Sequence, residues 1–74
     1  MTRAQSLHQR AMGYLTLADA ARGPHLIDCL RDALRLERLA VEEYGDGPEP
    51  TASILRGSAE AIEARMAEEA DREQ

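Results

Sequence analysis

Residues 24–44, PHLIDCLRDALRLERLAVEEY, decide the fold. At about 100° of turn per residue, Leu26, Ile27, Cys29, Leu30, Ala33, Leu34, Leu36, Ala40, Val41 and Tyr44 fall within one arc covering roughly half the circumference. Asp28, Arg31, Asp32, Arg35, Arg38, Glu42 and Glu43 take the opposite side. The pattern therefore predicts a surface helix with a wide buried face, not a membrane span. Two residues break it. Leu39 sits alone among the charges, and Glu37 projects into the middle of the apolar arc, between Leu30, Ala33, Val41 and Tyr44.

Working outward, residues 3–22 share the same period: Ala4, Leu7, Ala11, Tyr14, Leu15, Leu17, Ala18 and Ala21 lie on one face, while Gln5, Gln9, Thr16 and Asp19 face away. Gly13 weakens this helix by up to about 1 kcal/mol relative to Ala and suggests a bend or a close backbone approach. Gly23 suits the left-handed position that ends a helix, and Pro24 suits the first turn of the next. So short a connection predicts an antiparallel hairpin. On the other side, Gly45-Asp46-Gly47-Pro48-Glu49-Pro50 places two glycines and two prolines in six residues, which no helix continues through. A third helix is expected over about 50–71, opened by Pro50, Thr51 or Ser53 and anchored by Leu55, Ala59, Ile62 and Met66. After Met66 nothing large remains to bury, so loosening toward the C-terminus is expected. Gly57, Ala61 and Ala64 form a small-residue strip beside the stripe, of a kind that admits a second helix at close range. The expectation is an all-α single domain, a three-helix antiparallel up-down arrangement with helices at about 3–22, 24–44 and 50–71.

Seventy-four residues place the chain where one core supplies only about 3–5 kcal/mol of net stability, and such chains often recruit a partner. With no Trp, no Phe and two Tyr, the core must be built from aliphatic side chains and Ala. Nine basic residues, all Arg, against fourteen acidic ones argue against sequence-independent nucleic-acid binding, which needs clustered positive charge. Cys29 is the only cysteine, so no intrachain disulfide forms and the expected compartment is the cytoplasm. The N-terminal residues contain no signal-type apolar run, and no stretch approaches the roughly 20 apolar residues of a membrane span.

Cys29 to Ala40, CLRDALRLERLA, followed by the loop and then Glu49 to Ala59, EPTASILRGSA, resembles bacterial tetratricopeptide-like helical proteins. There a second helix of the form L-x-x-A-L-x-L-E leads through a short acidic, Pro-containing loop into E-P-T-x-S-[IV]-L-x-x-S-A. The match covers about half the chain, residues 29–59. It implies a tetratricopeptide-like helical hairpin plus a third helix, a scaffold for protein contacts, and it transfers no catalytic residue.

A carboxylate on an apolar face must find a cation or donor, reach an edge, or stay protonated, and for Glu37 the expected partners are Arg10, Arg56 or Arg65. His25 and Cys29, four residues apart on one side of the central helix, offer two ligand positions to a transition metal. Two ligands do not make a site, and His8 lies far off in sequence. Arg31, Arg35 and Arg38 form a stripe with Asp28, Asp32 and Glu42 within pairing distance, which is most simply a solvated, self-neutralised face. Serine-nucleophile motifs, phosphate loops and aromatic stacking platforms do not occur in the sequence. The residues thus predict a non-enzymatic interaction module without cofactor or metal, self-associating as a dimer or binding a partner protein. Its expected face is Leu30, Leu34, Leu36, Glu37, Leu39, Val41 and Tyr44. The alternatives are a ligand- or metal-responsive regulatory protein using Glu37, His25 and Cys29, or an accessory subunit of a larger enzyme or complex.

Overall fold

In the computed structural model, which describes residues 2–72, three helices follow one another: α1 (Arg3–Ala20), α2 (Pro24–Tyr44) and α3 (Thr51–Arg72). The arrangement is the expected all-α up-down one, with α2 in the centre. It packs along both neighbours, whereas α1 and α3, running parallel to one another, meet only sparsely. The molecule measures 40 × 20 × 14 Å, so it is long and broad but thin.

Each helix end has a local cause. Thr2 caps α1 in a capping box: its hydroxyl accepts the Gln5 N–H at 3.1 Å, and the Gln5 side chain accepts the Thr2 N–H at 2.9 Å. α1 stops two residues earlier than the period predicts, because Ala21 turns extended (φ −89°, ψ 159°) and its N–H closes on the Ala18 carbonyl. Gly23 therefore does not end α1; it precedes α2 at φ 62°, a backbone state that side chains rarely adopt, and Pro24 opens the helix. Gly45 ends α2 at φ 58°, its N–H reaching the Val41 carbonyl. α3 begins under the side chain of Glu49, which accepts from the Ser53 N–H and hydroxyl and is paired with Arg56 at 3.2 Å. Past Met66, α3 continues to Arg72, which bridges back to Glu69; Glu73 and Gln74 lie outside the described residues.

The core is a sandwich of aliphatic and alanine side chains in three adjoining groups. Leu7 and Ala11 meet Leu36, Ala40 and Leu55; Ala33 and Leu34 meet Ala59 and Ile62; Ala18 meets Cys29 and Leu30. Ala11, Leu30, Ala33 and Ala40 have no exposed surface. Alanine at these crossings lets the helices approach closely, which brings even short polar side chains of α1 and α3 within reach of α2. Gly13 and Gly57, by contrast, have nothing within 4 Å of where a Cβ would stand, so neither marks a close approach within the chain. No helix among the described residues is long and apolar enough to cross a membrane.

Candidate functional site

Two features stand out from the packed helices: a polar cluster between α1 and α3, and a groove on the opposite side of α2.

The first is built on Glu37. Its position in the apolar arc of α2 aims it between the flanking helices, and it has no exposed surface. His8 of α1 and Ser58 of α3 close over it. The His8 Nδ1 lies 2.8 Å from both carboxylate oxygens, and the Ser58 hydroxyl donates to Oε2. A carboxylate only accepts, so Nδ1 donates to it, and the His8 side chain as a whole keeps 32% of its surface exposed. No buried side-chain polar atom among the described residues lacks a partner. A cleft of about 450 Å³ opens beside His8, lined also by Gln5, Tyr44, Thr51 and the exposed Ile54.

None of the three arginines expected at Glu37 is there. Arg56 is drawn to Glu49, Arg65 bridges to Asp19 of α1 at 3.3 Å, and Arg10 is exposed on α1. His8, which is not among the expected partners, takes that place instead. The signal was present: Ala4, Ala11 and Leu15 stand at −4, +3 and +7 from it, which puts His8 on the inward arc of α1. Ser58 likewise falls three residues after Leu55 and four before Ile62.

The chemistry available is limited by the order of the three groups. A serine nucleophile needs an imidazole on its hydroxyl, but here the carboxylate stands between the two, so Ser58 is tied to an acceptor and not activated through His8. His25 is exposed while Cys29 is buried against Ala18 and Leu30. Among the described residues no three His, Cys, Asp or Glu side chains are grouped to hold a metal ion.

The second feature lies along α2 and α3. Leu34, Leu39 and Met66 line a groove of about 450 Å³ whose rim carries Arg31, Arg35, Arg38 and Glu42. Arg38 crosses to Glu63 of α3 at 2.9 Å. Of the seven residues expected to form an interaction face, Leu30, Leu34, Leu36 and Glu37 are buried by the chain's own helices. Val41 and Tyr44 are half-buried, and Leu39 is exposed at 37%. No family model, curated protein or solved structure matches this chain.

Proposed function

We propose that this chain is a small, non-enzymatic helical interaction module that associates with a second copy of itself. The observation that carries the reading is the groove in which Leu39 remains exposed beside Leu34 and Met66, the part of the central helix's apolar surface that α1 and α3 leave uncovered. The chain's size supports the same conclusion. A core of leucine and alanine over 74 residues leaves little net stability, and burial against a partner adds to it. The tetratricopeptide-like stretch at residues 29–59 fits a scaffold for protein contacts, and a lone cysteine buried among apolar groups fits a cytoplasmic setting. Static light scattering from micromolar to millimolar concentration tests the reading: the mass should rise toward twice the 8.2 kDa of one chain. A constant single-chain mass overturns self-association.

The cleft beside His8 favours a second reading, a ligand-responsive regulatory protein. There Glu37 fixes the imidazole and Nε2 meets the bound molecule, a different place from the His25 and Cys29 pair expected from sequence. Native mass spectrometry of the protein as purified distinguishes it by an added mass on the chain.

A further inference from the structure

The groove on the α2 and α3 side carries its charges in a definite order along its length. Arg31 and Arg35 rim it toward the start of α2, and Glu42 rims it toward the end. The aspartates that the two arginines meet within α2, Asp28 and Asp32, do not line the groove, and both pairs are solvent-exposed and weak. On α3, the Arg38 bridge fixes Glu63 beside the middle of α2. Because the two helices run antiparallel, Glu60, one turn before Glu63 and exposed, extends the acidic end of the face. Leu39 sits between the basic and acidic ends, about midway between Arg35 and Glu42 in sequence, with Met66, Ala67 and Ala70 of α3 continuing the apolar floor.

Such a face is complementary to itself when turned end for end. A two-fold axis near Leu39 sets the arginines of one copy over the glutamates of the other, twice, and brings the two Leu39 side chains together at the centre.

Resting on the self-association proposed above, we infer that the second copy docks antiparallel on the α2 and α3 groove, with Arg31 and Arg35 facing Glu42 and Glu60 of its partner and Leu39 at the axis. The exchange also accounts for the one leucine that the helical period leaves among charges.

A charge exchange tests the arrangement. One variant carries Arg31→Glu and Arg35→Glu, the other Glu42→Arg and Glu60→Arg, all at exposed positions. Each alone opposes like charges at both ends of the interface and should self-associate at least ten-fold more weakly than the parent. Mixed in equal amounts at low salt, they restore both sets of opposite charges, and the mixture should scatter as a dimer. Leu39→Glu should be monomeric at concentrations where the parent is dimeric. A parent dimer indifferent to both charge variants and to Leu39→Glu overturns this docking face and leaves self-association standing. A mixture that stays monomeric while the parent dimerises also overturns it, and a parent that never dimerises overturns the reading beneath it as well.

Discussion

Replacing His8 by leucine isolates what the cluster between α1 and α3 contributes. Glu37 has no exposed surface, and its two side-chain partners are the His8 ring, 2.8 Å from both oxygens, and the Ser58 hydroxyl. His8→Leu leaves a buried carboxylate with one neutral donor. Removing one partner of a buried polar group costs about 1–3 kcal/mol, and more where the group left behind is charged, because that group stays desolvated and short of a donor. A domain of this size holds only about 3–5 kcal/mol in total, so His8→Leu should lose a large share of its stability. The opposite substitution is not equivalent. Glu37→Leu removes the buried charge and fills its volume. The imidazole it leaves is already 32% exposed and rehydrates, so the cost should stay below about 1.5 kcal/mol.

The decisive chain is the double variant, His8→Leu with Glu37→Leu. If the cost of losing His8 is the stranded carboxylate, removing that carboxylate should bring stability back to within about 1 kcal/mol of the parent. Urea titration followed by far-ultraviolet circular dichroism reads all four chains on one scale, provided the slopes agree. A His8→Leu chain that loses less than about 1 kcal/mol, or a double variant no more stable than His8→Leu alone, refutes the idea that the imidazole makes burial of Glu37 tolerable.

Gly13→Ala should stabilise the chain by up to about 1 kcal/mol, raising the melting temperature by some 4–8 °C, since a Cβ there meets nothing and the helix gains a residue of higher propensity; an unchanged or lower melting temperature contradicts this. Gly47→Ala should destabilise by about 1–3 kcal/mol, because its Cβ would fall 2.6 Å from the Tyr44 ring and displace a side chain whose hydroxyl donates to the Pro48 carbonyl. Glu49→Gln should weaken the start of α3 at neutral pH. The Ser53 hydroxyl, and next the Arg56 guanidinium, hold the Glu49 carboxyl below its ordinary value of 4.5. A carboxyl depressed in the folded state contributes stability that is full above the unfolded value and disappears as pH falls through the folded one. The difference in urea midpoint between parent and Glu49→Gln should therefore be constant near neutrality and close as the pH drops below about 4.5; a difference that persists at acid pH removes the carboxylate from the explanation.

What could be read from the chain was whatever its period and its helix breakers determine. Pro24 and the Gly45 to Pro50 segment set the limits of α2, and its arc marked Leu30, Ala33 and Leu36 for burial. The end of α1 was not legible. Ala21 and Arg22 are compatible with a helix, and only the need to swing the chain through Gly23 onto the start of α2 draws Ala21 into an extended state. That Glu37 would be buried followed from its place in the arc, but its partner depended on which faces of α1 and α3 meet α2. Charge alone favours arginines, whereas the packing of α1 and α3 on α2 brings a histidine ring and a serine hydroxyl within range. The period also says which side chains leave water without saying what covers them. Leu30, Leu34 and Leu36 are covered from within the chain, and Leu39, off the arc, stays outside.

The arrangement of apolar and polar contacts divides the work of holding the fold together. Aliphatic groups bind α1 to α2 and α2 to α3, and because leucine and alanine recur along every face, these contacts distinguish neighbouring registers less sharply than a buried polar group that must meet its partner. Between α1 and α3, the sparse contacts include His8 and Ser58 meeting on Glu37 and the Asp19 to Arg65 bridge. Shifting α1 or α3 by one turn along α2 would strand the buried carboxylate, so the cluster selects one register, and keeping that carboxylate out of water draws on the stability of the fold. In a domain with so small a margin, that cost must be offset elsewhere. Apolar surface of α2 itself stays open on its far side, around Leu39 and next to Met66, where a second copy can cover it without disturbing Glu37. A polar group inside and an apolar one outside, each misplaced by the helical period, are in this view two halves of one balance: the first fixes how three helices fit together, and the second supplies burial that the fixed arrangement lacks.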